Sequence, residues 1–221
     1  MDPFAQAVAS AALGCDAGLI VHNGAGETLS AALVLAPEVP LEEAMAMVFA
    51  ASLGFSDALG ALAPPEVGVH FEWPGGILVN GARCGAFRAA ASGAGAAGVP
   101  EWLVVGFDLA IALPEGAEPG STPTETALVE EGCMEVDPFL LLESWSRHTL
   151  VWINTWTDDG MARLHSDWRG KAHGLGEDVT VRIAAETIEG LFVGLDERGG
   201  MLLRQGDETR LIPLSAMLER T

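Results

Sequence analysis

An Asn80-Gly81 dipeptide stands between the apolar runs 77–79 and 83–89, and it constrains the fold more than any other feature of the chain. A two-residue loop whose central residues both take positive φ closes an antiparallel hairpin, and Asn-Gly accepts that backbone at the least steric cost. A third strand-like run, 67–73, precedes the pair and joins it through Gly75-Gly76. A three-strand meander is therefore expected near the middle of the chain.

The flanking sequence supplies the other layers. Residues 4–14 are Ala-rich with a helical bias and stop at Gly14, and the runs 18–22 and 29–36 surround a turn at 23–26 that can close a second hairpin. Leu41, Met45, Val48, Ser52, Phe55 and Leu59 recur at three- or four-residue spacing, which predicts one helix from 41 to the Pro64-Pro65 stop. Glu42 and Glu43 sit in its first turn, where the helix dipole favours them. A small-residue stretch, 92–98, leads to a strand over 102–113 and then to a Gly, Pro and Glu-rich loop over 114–123. Two helices are expected over 137–155 and 159–172, the first with Pro138 just inside its start. After residue 173 the character changes to short strands at 179–183, 189–195, 201–204 and 209–214, separated by Gly-containing turns. The pattern predicts an α+β core over 1–173 and a small β-barrel domain over 174–221.

Charge narrows the function classes. The 221 residues carry 11 basic and 31 acidic side chains, a formal charge of -20, and residues 1–82 contain no Lys or Arg. Lys171 is the single lysine. Nucleic-acid binding and attachment to anionic membranes both need clustered cations, so neither is expected. The apolar stretches 29–36 and 44–53 fall short of the ~18 to 20 residues that span a bilayer. Met1-Asp2-Pro3-Phe4 lacks the basic start of a signal peptide, so the expectation is a cytoplasmic protein.

Cys15, Cys84 and Cys133 are odd in number and lack CxxC spacing, which reads as buried thiols rather than a disulfide framework or a zinc site. His22 and His70 could meet across neighbouring strands, but no third ligand has suitable spacing and no metal site is expected. Residues 24–26 lack the third glycine, the lysine and the following helix of a phosphate cradle, so they read as a turn. Trp145, Trp152 and Trp156 are expected to pack in the core or between domains, as are His165, Trp168 and His173. Glu130-Glu131 and Asp158-Asp159 read as solvated acidic faces.

The segment Phe71-Glu72-Trp73-Pro74-Gly75-Gly76-Ile77-Leu78-Val79-Asn80-Gly81 resembles the signature of biotin protein ligases, within the biotin/lipoate protein ligase family. In that signature a basic residue precedes Trp-Pro-Asn-Asp, and an aliphatic strand and a tight turn lead to a second strand carrying a lysine. The preceding strand pair and helix, the Val-Val-Gly strand at 104–106, the two later helices and the run from Glu189 to Leu203 are similar in order to that family. The resemblance implies a ligase-like mixed sheet with flanking helices and a small C-terminal SH3-like β-barrel. With the chain starting directly in the catalytic-type domain, no DNA-binding winged helix is expected.

The departures from the signature carry the functional expectation. The arginine-rich loop of the family is reduced to residues 23–28 with no arginine, the lysine ahead of Trp-Pro is Glu72, and the Asn-Asp pair is Gly75-Gly76. A later asparagine of the family falls at Ala110, with Asp108 as the other alignment. Arg83 matches the second-strand lysine of lipoate ligases and octanoyltransferases, but arginine keeps its proton and cannot replace a lysine in proton transfer. Cys84 lies beside it, and the octanoyltransferase nucleophile belongs to a different segment.

Acyl-adenylate chemistry needs cations for the acid, for the ATP phosphates and for charge developing in transfer. The resemblance and its departures together imply a ligase-like pseudoenzyme whose vestigial acyl- or biotin-like pocket binds a small molecule or a partner protein. The pocket candidates are Glu72, Trp73, Gly75, Gly76, Asn80, Arg83 and Cys84. No cofactor is expected under this reading. The alternative is an active biotin or lipoate ligase, or an octanoyltransferase-type enzyme, with relocated catalytic groups and a need for ATP and biotin or lipoate.

Overall fold

The computed structural model describes residues 2–23, 26–93, 95–114, 116, 122–183 and 186–219. Its central meander consists of β3 (Val69–Glu72), β4 (Gly76–Val79) and β5 (Ala82–Ala91), all antiparallel. Asn80 takes φ 50° and Gly81 φ 91°, the left-handed pair that a two-residue hairpin turn requires. Leu78 pairs with Arg83 while Ile77 pairs with Gly85, which leaves Cys84 as the extra residue of a β-bulge.

Three further strands, β1 (Ile20–His22), β2 (Thr28–Leu35) and β6 (Leu103–Ala110), complete a six-stranded sheet in the order β1-β2-β6-β5-β4-β3. Each pairing in it is antiparallel, and the mixed character expected of this sheet is confined to isolated parallel bridges, Phe71 to Ala172, Arg83 to Glu125 and Ala89 to Leu218. Residues 24 and 25 of the first turn and most of the loop expected over 114–123 lie outside the described residues. So does the centre of the 24–26 fragment.

One face of the sheet is covered by α2 (Leu41–Ala44), α3 (Ala46–Leu62), α4 (Pro138–Asp159) and α5 (Met161–Gly170). The single helix expected from 41 onward is divided at Met45, where Val48 N–H bonds back three residues to the Met45 carbonyl at 3.0 Å. The run Leu41–Leu62 is long and apolar enough to cross a membrane, more so than its pieces read singly, and 78% of its most apolar window is buried in the fold. A helix apolar on every side belongs at the centre of a core. Phe49 of α3 stacks on Trp168 of α5 at 4.4 Å, and Trp145 of α4 donates its indole N–H to the Ala51 carbonyl at 3.0 Å. Trp152 donates to Asp57 at 2.7 Å, and the tryptophans of these helices pack against the core as expected, with the buried Trp168 indole N–H left without a partner among the described residues.

The other face carries α1 (Pro3–Ala12), capped by the Asp2 carboxylate on Phe4 N–H at 3.0 Å. Phe4, Ala7 and Ala11 pack there against Ala32, Val34, Ala90 and Val104. The C-terminal sheet is β7 (Asp178–Ile183), β8 (Glu186–Leu195), β9 (Met201–Gln205) and β10 (Glu208–Ile212), ordered β10-β9-β8-β7 and antiparallel throughout, as a small barrel-like domain requires. A 3-10 turn, Leu214–Met217, follows it. Phe192, Met201 and Leu203 of this sheet share one apolar cluster with Phe49, Phe71 and Trp73 of the first.

Candidate functional site

Strand register lays out the exposed half of the α1 face. Glu72 pairs with Gly76, Gly76 with Ala86, Ala86 with Asp108 and Asp108 with Ser30, so one row crosses five strands. Between its two acids, Glu72 and Asp108, the row holds only Gly76 and Ala86, which leaves a shallow floor. Glycine suits position 76 because a Cβ there would lie 2.9 Å from the Glu72 Cβ, a side-chain root that can move only with its strand. Glu72 and Arg83 form an ion pair across β4, made possible by the missing side chain at Gly76 and by the bulge at Cys84.

A cleft opens above this floor, beneath β7 and the 3-10 turn. One lobe of about 550 Å³ is lined by Gly75, Gly76, Phe87, Arg88, Met217 and Glu219. A second, of about 510 Å³, is lined by Glu72, Trp73, Pro74, Gly76, Thr180 and Val181. Arg83 and Arg182 line both. Arg88 is fully engaged: Glu219 takes it in a two-bond fork at 2.7 and 3.0 Å, and Asp2 and Asp108 accept from it at 3.0 and 3.4 Å. Its guanidinium also lies 4.2 Å from the centre of the Phe4 ring. The hydrogen bonds that Arg88 donates to Glu219, and then the one to Asp2, outweigh partial burial and hold it more firmly protonated than an ordinary arginine. Ser30 donates to the other oxygen of Asp108 at 2.5 Å. Arg182 has no carboxylate within ion-pair distance among the described residues. Among the described residues three arginines line the cleft with two carboxylates, Glu72 and Glu219, while Asp2 and Asp108, outside the lining, complete the matching of Arg88.

The expected pocket residues separate into two groups. Glu72, Trp73, Gly75, Gly76 and Arg83 line the cleft. Trp73 does so with a spent polar end, since its buried indole N–H donates to the Gly199 carbonyl at 2.9 Å. Asn80 and Cys84 line neither lobe. The Asn80 carboxamide clamps the hairpin end, accepting from Gly68 N–H at 2.9 Å and donating to Glu131 at 2.8 Å, so its residue type answers the needs of a turn. Cys84 is 2% exposed on the helix side of the sheet, and burial, helped by Cys133 and Glu131, pushes its thiol up to about 12. A thiol so held offers no thiolate near neutral pH.

The two alignments for the later asparagine, Asp108 and Ala110, both fall on β6 and on the cleft side of the sheet, and Asp108 is the one level with Gly76. His22 and His70 lie in β1 and β3, at opposite edges of the sheet, so they cannot share a metal. No cluster of three metal-ligating side chains occurs among the described residues. Arg88 and Arg182 are the cleft residues that sequence reasoning passed over. For Arg182 the only signal was alternation: Val181 points inward at 4% exposure, which sends its neighbours outward.

Residues 1–170 match the Biotin/lipoate A/B protein ligase family, and residues 175–220 match a Domain of unknown function (DUF4444). A biotin--[acetyl-CoA-carboxylase] ligase of Paracoccus denitrificans is 31% identical over 182 residues, which is 82% of this chain and 75% of that protein. The crystal structure of a biotin protein ligase-like protein of unknown function from Silicibacter sp. TM1040 aligns with a TM-score of 0.90 at 52% identity, covering 100% of this chain and 93% of the other. Biotin protein ligase from Aquifex aeolicus aligns with a TM-score of 0.78 at 18% identity over 98% of this chain and 92% of that one, a likeness of fold.

Proposed function

The chain belongs to the biotin/lipoate A/B protein ligase family, and from that premise we propose that it binds a small organic acid in the cleft without activating it as an adenylate. The observation that carries this reading is the Glu72–Arg83 ion pair. At the two positions where the resemblance calls for lysines, the chain places an anion and a cation that neutralise each other. Arg88 is likewise matched by Glu219, Asp2 and Asp108.

Adenylate formation brings the four negative charges of ATP against an acid and builds further charge in the transition state. In a site of reduced dielectric, the cations that balance this supply several kcal/mol. A cleft in which Arg83 and Arg88 are both matched by carboxylates leaves little positive charge for that chemistry. A monocarboxylate with an apolar body is a better match: the small floor at Gly76 and Ala86 accepts the body, and Ala216 and Met217 give it apolar wall. Relatives named as biotin ligases are consistent with biotin, lipoate or octanoate as the acids to try.

A second reading, an active ligase that draws its cations from elsewhere, is favoured by the 31% identity to the Paracoccus denitrificans ligase. One experiment separates the two. Calorimetric titration with biotin, lipoate and octanoate is expected to give saturable binding, and ATP–pyrophosphate exchange with the same acids is expected to stay at the level of the acid-free blank. Acid-dependent exchange would replace the first reading with the second.

A further inference from the structure

We infer that Arg182, a residue of the C-terminal sheet, is the anchor for the ligand's carboxylate, so that the acid is held across the seam between the two sheets. The inference rests on the acid-binding reading above and names the residue that performs it.

Three observations support Arg182. It lines both lobes of the cleft together with Arg83, and its exposed side chain stands on the same side of β7 as Thr180, which also faces the second lobe. Among the described residues no acid lies within ion-pair distance of its guanidinium: its cross-strand neighbour on β8 is Thr187, Glu189 on the same face stands across from Thr180, and Glu186 is held by Arg210 in a two-bond fork at 2.8 and 3.0 Å. The other two cleft arginines are already paired, Arg83 with Glu72 and Arg88 with Glu219.

An incoming carboxylate gains most from a planar five-donor cation that has no competing partner, because nothing has to be displaced before the fork forms. The charge balance fixes the ligand class as well. One guanidinium without an acid partner among the described residues matches a monocarboxylate, whereas a phosphate monoester brings about 1.5 to 2 negative charges at neutral pH and leaves an excess that the two paired arginines do not meet. Thr180 adds a hydroxyl on the same side, able to donate to the second carboxylate oxygen.

The test uses the full chain and measures affinity for biotin, lipoate and octanoate by calorimetry, with AMP as the phosphate probe. Wild type is expected to bind at least one acid more tightly than AMP. Arg182→Ala is expected to weaken that acid about 10- to 100-fold, the usual worth of a hydrogen-bonded charge pair, with Arg182→Lys intermediate. Arg163→Ala, on α5 and away from the cleft, serves as the charge control and should bind as wild type does. Full binding by Arg182→Ala, a larger loss from Arg83→Gln than from Arg182→Ala, or tighter binding of AMP than of every acid would overturn the assignment while leaving the cleft a binding site. Absence of binding by wild type would remove the acid-binding reading itself, and the assignment with it.

Discussion

Cys84 shows at the residue scale how the fold decides chemistry. Its place beside Arg83 suggests reactivity, yet the bulge turns the thiol into the core while Arg83 remains at the cleft. With the thiol raised from its ordinary 9 to about 12, the folded state holds a proton that the unfolded state releases above pH 9. The stability this contributes is complete below pH 9 and is lost progressively as the pH rises from 9 toward 12. The urea midpoint is expected to fall over that interval, and to fall less steeply in Cys84→Ala. Mass-spectrometric alkylation at pH 8 is expected to label the half-buried Cys15 before Cys84. At this scale the sequence was legible where a local motif spoke: Glu72, Gly76 and Arg83 lie within twelve residues and meet through hairpin register. Arg182 was not, because a residue about 100 positions away reaches the cleft only through the docking of a second sheet.

Elements were legible in kind and less so in extent. Strand β5 runs to Ala91, two residues past the expected end, because Ala90 and Ala91 pair with Val104 and Leu103. Alanine has little strand preference, so only the partner strand reveals them. Strand β6 stops at Ala110 rather than 113, where Ile111 N–H turns to the Glu27 carbonyl at 2.7 Å. The helices α3 and α4 make the most demanding contact between elements. A Cβ at Gly54 would lie 2.6 Å from Thr149 N and 2.5 Å from its Oγ1, so the two backbones meet with no room for a methyl group. Gly54→Ala trades this contact for a small gain in helix propensity and is expected to cost about 3 kcal/mol, the upper part of the overpacking range. Chemical denaturation of the variant measures it, and a change under 1 kcal/mol would mean that the helices slide apart easily.

At the scale of the whole molecule, one apolar cluster runs through both sheets, and the seam is fastened by few polar contacts. Trp73 N–H to Gly199 is buried, Arg198 to Glu42 is exposed, and Arg88 on β5 forks onto Glu219 while the Glu219 N–H donates to the Ala89 carbonyl at 2.9 Å. Gly199, at φ 83°, lies so near Phe49 that a Cβ would come within 2.9 Å of the ring. Trp73→Phe keeps most of the packing and removes the bond, leaving the buried Gly199 carbonyl unpaired. A loss of about 1 to 3 kcal/mol is expected, with unfolding still a single calorimetric transition. Two separate transitions would show that the shared cluster does not couple the sheets. The sequence forecast two packed units but not this seam, whose contacts span 126 residues for Trp73 and 156 for Arg198. The segment joining the units is itself bonded to the edge strand of the first sheet: Phe71 N–H donates to the Lys171 carbonyl at 2.9 Å, and His173 N–H donates to the Phe71 carbonyl at 2.8 Å. Dividing the chain at residue 170, where the family match ends, would therefore strip the outer edge of β3 and leave a bare strand able to recruit another copy. An expression boundary suited to the core alone falls after 173, although the apolar surface left by Phe192 and its neighbours argues for making the two units as one piece.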